Sequence, residues 1–177
     1  HHGSDIGQIR AVSFITLALI AANTDQQFDH HIDRAITHIE ARISAAEEPD
    51  AIALAANALA AAGRKEAATK AVDRLLSSVT QQKDIAFWSP SQPTWMGGGG
   101  RYAAIETTAL AAYAMIETGA GAETLPRVLN YLASGRSHGG GWGTTQATVW
   151  TLRTLERLRS KQNPAALQIY LDGTPVP

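Results

Sequence analysis

Seven helical patterns of two kinds alternate along the chain, and this alternation is the feature that most constrains its fold. Four patterns are rich in Ala and Leu with few charges, which is typical of helices buried on nearly all sides. They cover residues 9–22, 50–62, 103–118 and 145–158. The three patterns between them place one apolar stripe opposite a charged side, as surface helices do. They cover residues 28–44, 64–81 and 123–134.

The alternation predicts an all-α fold in which inner helices are covered by outer ones, in repeated hairpins with a period of roughly 40 to 55 residues. Such an arrangement is part of an α/α toroid or a helical solenoid. Residues 167–171 depart from the pattern, because alternating β-branched and aromatic residues precede Asp172-Gly173 there. We therefore expect one short terminal β-strand.

The alternation also predicts that the amino termini of the inner helices lie on one face of the domain. If each outer helix runs antiparallel to its inner neighbours, all inner helices are parallel and their amino termini lie together with the long connections 82–101 and 135–144. Helix amino termini carry partial positive charge and unpaired N–H groups, which favour an oxyanion or a carbonyl oxygen. The residues predicted at this face are Asp50, Trp88, Trp95, Glu106, His138, Trp142, Thr145 and Gln146.

Two stretches at this face resemble one protein family. Residues 102–114 read YAAIETTALAAYA, and residues 139–148 read GGGWGTTQAT. Together they are similar to the last helical hairpins of the thioester domain of alpha-2-macroglobulins and complement components. The likeness extends more weakly over residues 8–161. The resemblance implies the carboxy-terminal part of a toroid of about a dozen helices, followed by a β domain.

The family resemblance also implies a function for the whole protein. Alpha-2-macroglobulins are broad-spectrum endopeptidase inhibitors in which protease cleavage exposes an internal thioester that acylates an amine of the attacker. That thioester needs a Cys-x-Glu-Gln motif, and this chain has no cysteine. We expect either that the thioester lies outside this chain or that the parent lacks one. The thioester-face residues would be Trp95, Glu106, Trp142, Thr145 and Gln146.

On this basis the chain divides into three parts. His1-His2-Gly3-Ser4 is typical of a purification-tag remnant. Residues 5–162 form the partial thioester-type helical domain, and residues 163–177 form a linker and the start of the following β domain. The resemblance further implies proteases and neighbouring β domains as partners, and an extracellular or periplasmic location.

Other function classes find little support. A net charge of −1 offers no basic stripe for nucleic acid, and the longest apolar run, residues 11–22, is too short to span a membrane. The glycine runs at 97–100 and 139–141 follow no predicted strand, so turn geometry is favoured over phosphate binding. His30 and His31 point apart on a helix, which disfavours a metal site. No nucleophile-and-base set can be defended, so we expect neither an enzyme nor a cofactor.

Some interpretations stay open at this stage. Glu106 lies in an apolar helix and is either capped or hydrogen-bonded there, or reactive. Trp88, Trp95 and Trp142 either pack the loops down or form an apolar shield against another domain.

Two other function classes remain: a non-catalytic helical interaction module, and a toroid enzyme of the terpene-cyclase or prenyltransferase class. The latter needs an Asp-rich cluster or a cysteine-containing zinc site.

Overall fold

The computed structural model describes residues 2–162, 170–171 and 174–175. Seven α-helices dominate this part of the chain, which confirms the predicted fold class. They are α1 (His2–Ala22), α2 (Asp29–Arg42), α3 (Pro49–Ala61), α4 (Lys65–Ser77), α5 (Gly100–Thr118), α6 (Leu125–Ser134) and α7 (Thr145–Gln162). A short 3-10 turn, Ile43–Ala45, follows α2.

The inner layer consists of α1, α3, α5 and α7, which pack side by side in that order. In α3 every residue from Asp50 to Leu59 is buried, and alanine supplies half of them. Small alanine side chains let neighbouring helix backbones approach closely, so the inner layer is dense. The outer helices α2, α4 and α6 bury one stripe each, such as Ile36 and Ile39 of α2.

Hydrogen bonds between inner helices show that these helices are parallel. The Thr154 hydroxyl of α7 donates to the Ala109 carbonyl of α5 at 2.9 Å, and further along both helices Arg157 pairs with Glu117. From α3, the Asn57 amide donates to the Leu110 carbonyl of α5 at 3.0 Å. Because later residues of one helix meet later residues of the next, the amino termini lie on one side.

The first helix begins earlier than the sequence predicted. The apolar pattern placed its start at residue 9, whereas α1 begins at His2 and runs through the predicted tag remnant. Part of the terminal strand predicted at 167–171 lies outside the described residues. The part that is described, β3 (Tyr170–Leu171), pairs antiparallel with β4 (Thr174–Pro175), so the expected single strand is one arm of a hairpin.

The prediction of helix over residues 64–81 was wrong at its end. Helix α4 stops at Ser77, and β1 (Thr80–Gln82) pairs antiparallel with β2 (Ile85–Phe87). Lys83 in the turn between the strands has a φ of 46°, the left-handed region that tight turns use. β-Branched Val79 and Thr80 favour an extended backbone after the last helical turn.

None of the helices in the described residues is both long and apolar enough to cross a membrane.

Apolar side chains remain exposed on the two flanks of the inner layer. On α1, Ile15 is 54% exposed, and on α7 Leu152 is 53% exposed. Val149 and Leu155 extend the exposed stripe along α7. These two helices each have an inner neighbour on one side only, so their other sides present apolar surface to solvent.

We expect the isolated chain to self-associate through these flanks. Burial of a few hundred Å² at about 25 cal/mol per Å² would contribute on the order of ten kcal/mol before association costs. Leu152→Arg should shift the population toward monomer in light scattering at micromolar concentrations. Ala41→Arg, at an exposed position of α2, is the matched control. A monomer that binds no hydrophobic dye would contradict the prediction.

Candidate functional site

The amino termini of the inner helices and two connecting segments form one surface, termed here the amino-terminal face. The first segment, residues 88–99, leads from β2 to α5, and the second, residues 135–144, leads from α6 to α7. Trp95 lies in the first segment and Trp142 in the second. Glu106 lies in the second turn of α5, and Thr145 and Gln146 begin α7.

Trp88 anchors the start of the first segment. Its side chain is buried, and its indole N–H donates to the Leu75 carbonyl at the end of α4 at 2.7 Å. Its backbone N–H donates to the Thr108 hydroxyl of α5 at 3.1 Å. The packing interpretation therefore holds for Trp88.

Two buried carboxylates hold the middle of the first segment. Glu48 accepts hydrogen bonds from both the backbone N–H and the hydroxyl of Ser91, the first at 2.9 Å. Glu106 accepts from the Thr94 hydroxyl at 3.0 Å. These hydrogen bonds attach the first segment to α5 and to the residue that precedes α3.

The tip of the first segment is not packed down. Trp95 is 45% exposed, and Met96 and Tyr102 are exposed to a similar extent. The packing interpretation is wrong for Trp95, whose neighbours leave much of its surface in contact with solvent. A large exposed aromatic on an anchored segment is typical of a contact surface.

Glu106 is a hydrogen-bonded carboxyl with an unusual acidity. Only 4% of the residue is exposed, and this burial raises its pKa from 4.5 to about 7. The hydrogen bond from Thr94 opposes the rise, the nearby Asp50 carboxylate adds to it, and the Arg10 guanidinium opposes it. At neutral pH the side chain is therefore divided between its protonated and ionised forms.

An ion pair missed by the sequence analysis lies beside Glu106. The Arg10 guanidinium of α1 contacts the Asp50 carboxylate of α3, Nη2 to Oδ1, at 2.6 Å, and both residues are buried. Arg10 also lies 3.9 Å from Glu48. Burial raises the pKa of Asp50, although the hydrogen bond and charge of Arg10 oppose the rise. The signal in the sequence was a lone arginine within an apolar helix pattern.

The second segment is fixed at the start of α7. Trp142 is buried, and its indole N–H donates to the Leu132 carbonyl of α6 at 2.6 Å. The Thr144 hydroxyl accepts from the Ala147 N–H at 3.1 Å and so caps α7. Thr145 is exposed and Gln146 is half-buried, so both are available at the surface of the face.

Gly143 is required by the close approach of the second segment to α5. Its φ is 91°, and a Cβ built there would lie 2.0 Å from Cε1 of Tyr102. Glycine alone fits without displacing that ring, since both the backbone conformation and the space exclude a side chain. Gly143 thus serves both turn geometry and the contact with α5.

The described residues present no arranged set of metal ligands. No group of three His, Asp or Glu side chains there is placed to hold a metal ion. The His30 and His31 rings, 6.0 Å apart, lie on the exposed side of the outer helix α2. The acidic groups of the face are instead bound to Arg10, Ser91 and Thr94.

The described residues form a predominantly helical domain of alternating inner and outer helices, with two anchored segments at the amino termini of the inner helices. A family model described as the A-macroglobulin TED domain matches residues 2–157. The chain belongs to this family, the thioester domains of alpha-2-macroglobulins and complement components, which confirms the sequence resemblance. No curated protein matches the sequence.

The raised pKa of Glu106 predicts that stability falls as pH rises. The folded state holds this proton more tightly than the unfolded state, so the free energy of unfolding should decrease between pH 4.5 and 7 and then level off. The loss is on the order of 3 kcal/mol. In urea titrations, Glu106→Gln should abolish this part of the pH dependence. The same change at exposed Glu123 should leave it intact.

Removal of Arg10 should strongly destabilise the fold. Arg10→Met leaves Asp50 buried without its cation, at a cost of about 3–5 kcal/mol in the free energy of unfolding. Adding Asp50→Asn should recover part of that loss, because the unpaired charge is then gone. Denaturant unfolding of the two single variants and the double variant measures the coupling. If the losses in free energy of unfolding of the two single variants simply add in the double variant, Arg10 and Asp50 do not form a coupled buried ion pair.

Proposed function

We propose that this chain is part of an endopeptidase inhibitor of the alpha-2-macroglobulin type, which traps proteases and links to them through an internal thioester. The thioester residues lie outside this chain, because its sequence has no cysteine. Membership of the TED domain family supports this proposal. The main structural support for the proposal is the amino-terminal face, where parallel helix termini and two anchored segments form one surface.

The proposed chemistry is an acyl transfer. An amine of the protease attacks the carbonyl carbon of the thioester, the C–S bond breaks, and the products are an amide and a free cysteine thiol. Partial positive charge at helix amino termini stabilises the oxyanion that forms during attack. Apolar side chains at the face, such as Trp95 and Tyr102, would limit the access of water before activation.

The other expectations follow from this function. The reaction occurs once for each molecule, so the protein acts as an inhibitor and not as an enzyme, and it needs no cofactor. Its partners are proteases and the neighbouring β domains of the parent. We place it outside the cytoplasm, in the periplasm or the extracellular space, where foreign proteases are met.

A second candidate is a non-catalytic helical interaction module. The exposed Trp95 and Met96 at the tip of the first segment favour it, because they offer an apolar contact without any reactive group. The toroid-enzyme alternative has less support, since the described residues hold no cluster of acidic side chains placed for a metal.

Treatment of the intact parent protein with methylamine separates the first two candidates. A thioester releases one thiol for each molecule, which a thiol reagent detects, and active trypsin yields a covalent adduct on a denaturing gel. Trypsin with a blocked active site is the control and should give no adduct. An intact parent that releases no thiol would favour the interaction module.

Trp95→Ala tests the role assigned to the face in the intact parent. With less apolar cover, we expect spontaneous thiol release without protease or amine to become several-fold faster. Leu152→Ala, which removes an exposed apolar side chain from the flank of α7, should leave the rate unchanged. Equal rates in all three proteins would show that Trp95 does not shield the bond.

A further inference from the structure

The first segment closes over Glu106 with a compact turn at residues 94–98, termed here the 94–98 turn. Its backbone is held by hydrogen bonds from the Thr94 N–H to the Gly98 carbonyl and from the Gly97 N–H to the Thr94 carbonyl, both at 2.8 Å. The Gly98 N–H donates to the Thr94 hydroxyl at 3.1 Å. That hydroxyl in turn donates to Glu106, so the turn and the carboxyl are directly joined.

The backbone of the turn lies directly against the carboxyl group. A Cβ built at Gly98 would lie 3.0 Å from Oε2 of Glu106 and 3.0 Å from the Thr94 hydroxyl. No side chain intervenes at this contact. The 94–98 turn is therefore a part of the wall that keeps water from Glu106.

The charges around Glu106 are unbalanced. Three buried carboxyl groups, Glu48, Asp50 and Glu106, lie near a single guanidinium, that of Arg10. The groups that face Glu106 are Asp50 from α3, Arg10 from α1 and the Thr94 hydroxyl from the first segment. Arg10 is already bound to Asp50 at 2.6 Å. An ionised Glu106 thus has no cation of its own.

We propose that the 94–98 turn is a pH-sensitive latch, closed over neutral Glu106 and released when that carboxyl ionises. A buried carboxylate without a cation needs water, and the single hydrogen bond from Thr94 opposes the effect of burial without outweighing it. The helices around Glu106 are fixed by the core, whereas the turn is held by a few hydrogen bonds, so lifting the turn is the route by which water enters. Release also moves Trp95 and Met96, the exposed tip. The latch is a property of this chain and does not depend on the thioester.

The direction of the effect follows from linkage. The pKa of Glu106 is about 7 when the turn covers it, and in an open, hydrated turn it returns toward 4.5. Between pH 4.5 and 7, opening of the turn is therefore coupled to loss of the Glu106 proton. The fraction of molecules with an open turn grows as pH rises. From pH 5.5 to 8 the opening equilibrium should increase roughly thirtyfold.

Amide hydrogen exchange measured by NMR on the full chain tests the latch. The reporters are the N–H groups of Thr94, Gly97 and Gly98, and the internal control is the Trp88 N–H, which is bonded to Thr108 beyond the turn. After correction for intrinsic exchange, protection of the three reporters should fall roughly thirtyfold from pH 5.5 to 8, while Trp88 stays unchanged.

Glu106→Gln keeps the shape of the side chain and removes the ionisation, so protection of the reporters should become independent of pH. Reporters that exchange alike at both pH values in the unaltered chain, or that lose as much protection in the variant, would overturn the proposal.

A carbon-13 titration of the Glu106 carboxyl needs no variant. A midpoint near 7 that coincides with the loss of protection supports the latch, and a midpoint near 4.5 refutes it.

Discussion

Close parallel packing of four inner helices, of which α3 and α5 are rich in alanine, is the constraint on which the rest of the structure depends. Small side chains let α3 and α5 approach until Asn57 reaches a backbone carbonyl of its neighbour. Parallel packing then requires every return of the chain to run along the outside, as α2, α4 and α6 do. The connections that lead back to inner helices end on one side, and this alone assembles the amino-terminal face.

The buried carboxyl groups of the amino-terminal face hold separate parts of the chain together. A buried carboxylate is costly unless it is hydrogen-bonded or paired, and here each one meets a partner from a distant part of the chain. Glu48 and Glu106 bind hydroxyl groups of the first segment, and Asp50 binds Arg10. Glu48, directly before α3, thereby fixes a connection more than forty residues away.

Periodicity in the sequence was enough to predict the inner and outer helices and to place Trp95, Glu106, Trp142, Thr145 and Gln146 near inner amino termini. The pattern reports which side of a helix is buried, and that information is local. It does not report which side chains meet across the layer, so the contact of Arg10 with Asp50 was missed. The β1–β2 hairpin was missed for a related reason, since each strand has only three residues and β1 is exposed throughout, which leaves little apolar pattern.

The absence of a side chain at Gly143 has a consequence for the amino-terminal face. The ring of Tyr102 occupies the space that a Cβ would need, yet nearly half of that residue still faces solvent. A bulkier residue at 143 would have to displace that ring. The size of this one residue in the second segment thus decides whether the Tyr102 ring of α5 can keep its place on the face.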